Sequence, residues 1–156
     1  MKTMDDNVIV QVGVAVENIE ETAKRLADIF GMEVPDIMDI HENKEEYINY
    51  YKGRKTESYT KTCYFHMGQV DLELVQPVGK NIDQREFLDK KGHGVHHIAF
   101  NVKKLRDKAD HLEKKGLKIV QETKFPGGFS SLLYCPELGF DIELLEGATK
   151  PDSDKS

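Results

Sequence analysis

The chain has 156 residues, of which 22 are lysine or arginine and 28 are aspartate or glutamate, and its formal net charge is −6. An acidic chain with interspersed charges lacks the positive surface that nucleic-acid binding requires, so we expect no nucleic-acid partner. No apolar run in the sequence approaches the ~18 residues of a membrane span, and the first residues lack the apolar core of a secretory signal. We therefore expect a cytoplasmic protein without a membrane partner, built as one domain or as two half-domains that share a core.

The chain contains an internal repeat that starts with its first predicted strand. The segments from Val8 to Val16 and from Val95 to Val102 alternate with a period of two, which predicts strands with one buried face. Each segment leads into a predicted helix with the same apolar spacing, and we expect both helices to end at a glycine. The matching apolar residues are Ile19, Ala23 and Leu26 in the first copy and Leu105, Ala109 and Leu112 in the second. Further strands are expected near Glu33 and Val34 and over residues 117–120.

The two copies close on nearly the same residues, Asp71 to Val75 and Asp141 to Leu145, but the first copy is longer. Its extra residues lie mainly in 36–59, a polar and tyrosine-rich segment that we interpret as an inserted loop or short helix over a site, or equally as a solvated surface insertion. The predicted organisation is a first module at 7–76 with the inserted loop 36–59, a linker at 77–94 with a short helix, a second module at 95–147 and a disordered tail at 148–156.

Four polar residues fall on equivalent faces of the two copies. Side chains alternate along a strand, so Gln11, Glu73, His97 and Glu143 each point away from the face that the helices cover. A two-fold arrangement of the copies would bring them into one cleft. One imidazole, two carboxylates and one amide oxygen suit Mn²⁺, Co²⁺, Ni²⁺, Fe²⁺ or Mg²⁺ better than a structural zinc, although zinc remains an alternative. Each residue taken alone could also be an ordinary polar group on a half-buried sheet.

On these residues the chain resembles the vicinal oxygen chelate superfamily, which includes glyoxalase I, ring-cleaving dioxygenases, bleomycin-resistance proteins and methylmalonyl-CoA epimerase. The resemblance covers roughly Val8 to Glu146 and is closest to the epimerase branch. It is most specific in three segments: Phe87 to Phe100, Glu73 to Pro77 and Ile142 to Glu146. The resemblance implies an α+β fold in which two βαβββ modules form a curved, eight-stranded mixed sheet around a central cleft that holds a metal.

The resemblance also assigns roles to individual residues. Glu73, His97 and Glu143 match the metal-ligand positions of the superfamily, whereas Gln11 stands where the epimerases usually carry a histidine. An amide oxygen can ligate a metal but binds it less strongly than imidazole does. Glu143 is then expected to act in catalysis together with Glu57, which matches the proton-transfer glutamate of the epimerases; the alternatives to Glu57 are Glu45 and Glu46.

Three further residues are predicted to bind substrate. His93 lies between glycines, where it could orient a substrate or simply occupy a turn. Gly127 and Gly128 mark a turn whose backbone could approach a ligand closely, although many hairpins have the same sequence. The neighbouring His96 shares the core-facing phase of its strand and is predicted to be a packed, hydrogen-bonded residue rather than a ligand.

The favoured hypothesis is a metal-dependent isomerase that removes a proton next to a thioester or ketone carbonyl and so acts on a small-molecule substrate such as an acyl-CoA. One alternative is a glyoxalase-like lyase that acts on a thiol adduct. Another is a non-catalytic small-molecule binding protein of the same fold, for which Gln11 is the main argument. We expect the chain to form a homodimer.

Overall fold

The structure is a computed structural model that describes residues 3–147, and within them the chain forms ten β-strands and three α-helices. The prediction of a disordered tail at 148–156 lies outside the described residues. The first half comprises β1 (Gln11–Ala15), α1 (Ile19–Phe30), β2 (Met38–Asp39), a 3₁₀ helix (Ile40–Asn43), β3 (Ile48–Tyr51), β4 (Arg54–Thr56), β5 (Tyr59–His66) and β6 (Asp71–Val78). The rest comprises α2 (Asp83–Lys91), β7 (Gly94–Asn101), α3 (Leu105–Lys114), β8 (Lys118–Phe125), β9 (Gly128–Cys135) and β10 (Phe140–Glu146).

The ten described strands form one mixed sheet in the order β2-β5-β6-β1-β7-β10-β9-β8-β3-β4. The two halves of the chain meet at the antiparallel pair β1–β7, and each half repeats a parallel pair at its inner edge, β1–β6 and β7–β10. The predicted α+β fold of two related halves is confirmed. As a result, the four strands on which the candidate ligands were predicted, β6, β1, β7 and β10, are adjacent in the sheet.

The count of eight strands was too low because residues 36–59 add two strands, β3 and β4, to the first half. β2 pairs with β5 of its own half, whereas the β3–β4 hairpin crosses to the other half and pairs with β8. Residues 36–59, predicted as a loop or short helix, therefore contain β2, the 3₁₀ helix and this hairpin. The insertion links the two halves of the sheet and contributes to the walls of the cleft between them.

The strand expected near Glu33 and Val34 is absent from the described structure. Helix α1 ends at Gly31, whose left-handed conformation (φ 65°) turns the chain out of the helix. The side chain of Val34 is 51% exposed, and Pro35 lacks the N–H that a sheet ladder requires. The chain stays irregular until β2 begins at Met38.

Each half buries its own apolar cluster between one helix and the sheet. The repeated apolar positions of the sequence lie in these clusters, and Asn18 begins α1 by accepting a hydrogen bond from the Glu21 N–H (3.1 Å). The buried helix residues are Ile19, Ala23 and Ala27 in α1 and Leu105, Ala109 and Leu112 in α3. Because the helices cover one face of the sheet, the polar residues of opposite phase face the cleft.

Candidate metal centre and cleft

The structure brings together the four predicted ligands at the centre of the sheet. The Nε2 atom of His97 on β7 lies 3.0 Å from the Gln11 Oε1 on β1. The same nitrogen lies 3.1 Å from the Glu73 Oε1 on β6 and 3.6 Å from the Glu143 Oε1 on β10. All four side chains line a cleft of about 680 Å³, a volume suited to a small-molecule ligand. Three side-chain oxygens thus approach the same imidazole nitrogen, each within 3.6 Å, at the cleft.

The electrostatics of this cluster favour a cation. Burial raises the pKa of Glu143 to about 7, and the nearby Glu73 carboxylate adds to this rise. Although burial opposes it, the Glu143 and Glu73 carboxylates raise the pKa of His97. The Glu73 and Glu143 carboxylates both approach His97 and disfavour each other's charge, and a divalent ion near both would offset that repulsion. The donor set therefore fits a hard divalent metal ion in both chemistry and charge.

Gly13 makes room for the His97 ring. Gly13 and His97 are opposite each other in the β1–β7 register. A Cβ atom on Gly13 would lie 2.0 Å from His97 Cε1 and 2.3 Å from His97 Nε2, far closer than nonbonded atoms approach. The imidazole consequently lies flat against the backbone of β1, which places its Nε2 beside Gln11.

His96 lies next to this cluster because the β1–β7 register shifts there. Gly13 pairs with His97 and Val14 with Val95, so His96 is the extra residue of a β-bulge. Its ring is 1% exposed, and its Nδ1 lies 2.9 Å from the Nδ1 of His97. The prediction of His96 as a packed, hydrogen-bonded residue agrees with this placement, but its contact with a ligand residue was not foreseen.

Two aspartates that the sequence analysis did not select complete a second cluster. The Nε2 of His96 lies 2.7 Å from the Asp83 Oδ2 at the start of α2 and 3.5 Å from the Asp141 Oδ2 on β10. Asp83, His96 and Asp141 lie close enough together to hold a cation themselves. The two carboxyls differ. Burial and the neighbouring Asp83 raise the pKa of Asp141. For Asp83, burial is the largest single influence and acts to raise the pKa, but the hydrogen bonds with His96 and Asp141 and the two nearby imidazoles together lower it.

Tyr64 is a further cleft residue that sequence reasoning missed. It lies opposite Glu73 in the β5–β6 hairpin, and burial together with the Glu73 carboxylate raises the pKa of its phenol well above the usual value. The phenol is therefore protonated at neutral pH and can donate a hydrogen bond in the cleft. The short turn between β5 and β6 was the available signal, because a tight hairpin fixes which residues face each other.

The predicted proton-transfer residue Glu57 does not lie with Glu143. β4 ends at Thr56, and the bend that follows leaves Glu57 exposed, lining a smaller adjoining cavity of about 490 Å³. The alternative Glu45 is also exposed and lines that smaller cavity, and Glu46 is exposed. The structure thus places Glu143, but none of these three glutamates, at the cluster around His97.

The predicted substrate-binding residues have different positions. Gly127 lines the cleft, whereas Gly128 begins β9 so close to the Glu146 carbonyl that an added Cβ would lie 2.1 Å from its oxygen. His93 is exposed, and its Nε2 accepts a hydrogen bond (3.0 Å) from the Glu17 backbone N–H just before α1. This hydrogen bond connects His93 to the turn between β1 and α1, and His93 does not line the cleft.

Residues 10–134 match the family described as the glyoxalase/bleomycin resistance protein/dioxygenase superfamily. The chain belongs to this superfamily. A curated relative, the uncharacterized protein YqjC of Bacillus subtilis (strain 168), is 26% identical over 120 residues, which cover 77% of this chain and 74% of the relative. The resemblance inferred from the sequence is confirmed at the level of the superfamily.

Solved structures share the superfamily fold at low sequence identity. A hypothetical protein from Bacillus halodurans C-125 matches with a TM-score of 0.63 and 18% identity, covering 93% of this chain and 97% of that one. Methylmalonyl-CoA epimerase from Mycobacterium tuberculosis matches with a TM-score of 0.61 and 20% identity, covering 96% and 93% of the two chains. A methylmalonyl-CoA epimerase in complex with methylmalonyl-CoA and NH₄⁺ matches with a TM-score of 0.59 and 21% identity, covering 90% and 94%.

The described helices also bear on the membrane prediction. None of the helices within residues 3–147 is long and apolar enough to cross a membrane.

Proposed function

We propose that Gln11, Glu73, His97 and Glu143 hold one divalent metal ion. The supporting observation is the convergence of three side-chain oxygens on His97 Nε2 at 3.0, 3.1 and 3.6 Å. Oxygen-rich sites with one imidazole suit Mn²⁺, Co²⁺, Ni²⁺, Fe²⁺ or Mg²⁺, with Zn²⁺ as an alternative. Gln11 presents its amide oxygen to the cluster, so the replacement of a histidine at this position still leaves four donors.

We further propose that the protein is an isomerase that moves a proton next to a thioester or ketone carbonyl. A bound divalent ion would supply positive charge for the carbonyl oxygen. Glu143 would take the proton, because its carboxylate lines the cleft beside the proposed cation site, within reach of a bound substrate. Tyr64 would donate a hydrogen bond to a polar substrate group, and Gly127 would contact the substrate through its backbone.

Acyl-CoA thioesters are the substrate class that the comparisons favour. Structures similar to this chain include a methylmalonyl-CoA epimerase bound to methylmalonyl-CoA and a variant of the Streptomyces coelicolor enzyme in complex with 2-nitronate-propionyl-CoA. The cleft of about 680 Å³ can hold the acyl end of such a molecule. The nucleotide end would extend beyond the cleft into solvent.

The experiment is a proton-exchange assay in D₂O with the protein loaded with Mn²⁺ or Co²⁺. A panel of acyl-CoA thioesters, α-hydroxy ketones and glutathione hemithioacetals is followed by mass spectrometry for uptake of deuterium and for new products. Deuterium uptake next to a thioester or ketone carbonyl would support the isomerase. Formation of a thioester from a hemithioacetal would favour the glyoxalase-like lyase. Tight binding of panel members without exchange or product would favour the binding protein.

A variant of Glu57 tests whether this residue takes part in proton transfer to or from the substrate. Because the Glu57 carboxylate lies outside the cleft, we expect Glu57→Gln to change the exchange rate less than ~10-fold, whereas loss of a general base costs about 10²–10⁴-fold. The exchange assay on the best substrate measures this directly. A loss of 10²-fold or more would instead show that Glu57 reaches the substrate, as the resemblance to the epimerases implies.

A homodimer in the cytoplasm remains part of the proposal. The C-terminal end of α1 exposes apolar side chains that a second copy of the chain would cover, among them Ile29 (55% exposed) and Phe30 (43% exposed). Size-exclusion chromatography with light scattering measures the mass in solution. A mass of about twice 17.8 kDa would support the dimer.

A further inference from the structure

A continuous series of buried contacts links the start of α2 to the candidate metal ligand His97. The Asp83 Oδ2 lies 2.7 Å from His96 Nε2, and His96 Nδ1 lies 2.9 Å from His97 Nδ1. We propose that Asp83 and His96 are positioning residues that keep a proton on Nδ1 of His97 and so direct the Nε2 lone pair at the cation site. The role of that lone pair rests on the proposed metal site, but the proton placement does not.

The first step concerns the proton between Asp83 and His96. Asp83 is the first residue of α2, where the helix dipole favours a negative charge, and its own N–H donates to Gln121 Oε1 (2.8 Å). Its carboxylate is therefore the acceptor in the 2.7 Å contact, and the proton lies on His96 Nε2. Asp141, the other carboxyl near this nitrogen, lies farther away at 3.5 Å, so Asp83 is the nearer acceptor.

The second step follows from the structure of a neutral imidazole, which carries one N–H and one acceptor nitrogen. With its proton on Nε2, His96 has a bare Nδ1, and this atom accepts a hydrogen bond from the Nδ1–H of His97. The hydrogen bonds among Asp83, His96 and His97 therefore require no proton on the Nε2 of His97. It faces oxygens of Gln11 and Glu73, and a lone pair among oxygens is stable only with a proton or a cation between them.

Packing around the two rings favours the observed arrangement of the network. The β-bulge places His96 beside His97 with ring centroids 5.2 Å apart, and Phe87 of α2 packs edge-on against His96 at 5.3 Å. Because Gly13 has no side chain, the His97 ring has room to lie against β1. Hydrogen-bond partners behind a metal-ligating histidine set its tautomer and basicity, and their loss typically weakens metal binding about 10–100-fold.

The direct test is the tautomer of His96 and His97, measured by long-range ¹H–¹⁵N NMR on protein with ¹⁵N-labelled histidine, first without metal and then with Mg²⁺ or Zn²⁺. The proposal predicts that His96 is protonated at Nε2 and bare at Nδ1, and that His97 keeps its Nδ1 proton in both samples. A His96 protonated at Nδ1, or a His97 bare at Nδ1, would overturn it. This measurement requires no variant and does not depend on whether a metal binds.

The matched variants are Asp83→Ala and Asp89→Ala, which remove a carboxylate from the same helix. Asp89 is exposed and pairs with Arg85 at 3.0 Å, away from both histidines. We expect Asp83→Ala to move the His96 proton and to weaken Mn²⁺ binding about 10–100-fold, while Asp89→Ala changes neither. Unchanged tautomers and unchanged Mn²⁺ affinity in folded Asp83→Ala would overturn the proposal. The predicted tautomers in a wild-type protein that takes up no metal would support the proton placement and refute the metal site instead.

Discussion

Replacing Glu143 with glutamine is expected to reduce deuterium uptake into the substrate by about 10²–10⁴-fold, the range for loss of a general base. Glutamine keeps the size of the side chain and one oxygen for the metal but cannot accept the substrate proton. The carboxylate of Glu143 is buried at the cluster, 3.6 Å from His97 Nε2, so water has little access to replace it. The exchange assay at saturating metal measures the effect on the chemical step.

The control for this variant is Glu113→Gln, which removes an exposed carboxylate on α3, away from the cleft. It should exchange deuterium at the wild-type rate. If Glu143→Gln retains wild-type exchange while binding metal normally, Glu143 is not the base and proton removal must be assigned to another group in the cleft.

Replacing Gly13 with alanine is expected to displace the His97 ring and to weaken Mn²⁺ binding by more than about 10-fold. The new methyl group would lie 2.0 Å from His97 Cε1, and separation of β1 from β7 would disrupt the antiparallel pair that joins the two halves of the sheet. Inserting a methyl into a packed site costs about 1–3 kcal/mol, so the free energy of unfolding should also fall by that amount. Isothermal titration with Mn²⁺ and urea unfolding measure the two effects.

Gly94→Ala is the matched control, because its added Cβ would meet only the Phe87 ring at an ordinary contact distance of 3.6 Å. This variant in the same sheet should bind Mn²⁺ and unfold like the wild type. Wild-type Mn²⁺ affinity in Gly13→Ala would mean that the position of His97 against β1 is not needed for metal binding.

The sequence was sufficient to find the four residues of the cluster, because each depends on local information. A period of two assigns Gln11 and His97 to the face opposite the helix, and the repeated closing segments do the same for Glu73 and Glu143. The repeat then requires the two halves to present these faces together. These predictions agree with the structure because β6, β1, β7 and β10 are adjacent in the sheet, with the first-half pair beside the second-half pair.

The surroundings of the cluster could not be read from the sequence, because they depend on long-range pairing. Strict alternation sends His96 to the opposite face from His97, and only the bulge at Gly13 and Val14 brings the two rings together. Asp83 reaches His96 from a helix that lies between the repeats and has no counterpart at the same position of either copy.

The sequence also did not predict that the β3–β4 hairpin crosses to the second half of the sheet. The pairing of β3 with β8 joins residues seventy or more positions apart, such as Ile48 and Lys124, and no local sequence pattern predicts such a distant partner. This crossing also explains the position of Glu57, because the chain returns from the hairpin to β5 through the bend that holds it. Alignment to the epimerases placed Glu57 by sequence distance, whereas the hairpin determines where its carboxylate lies.

The most direct test of the proposed metal site is a crystal of the protein soaked in Mn²⁺, with anomalous diffraction data collected at the manganese edge. If the four residues hold a metal ion, one strong anomalous peak should lie next to His97 Nε2 and the side-chain oxygens of Gln11, Glu73 and Glu143. A peak between Asp83, His96 and Asp141 instead, or no peak within the cleft at a saturating concentration of Mn²⁺, would contradict it.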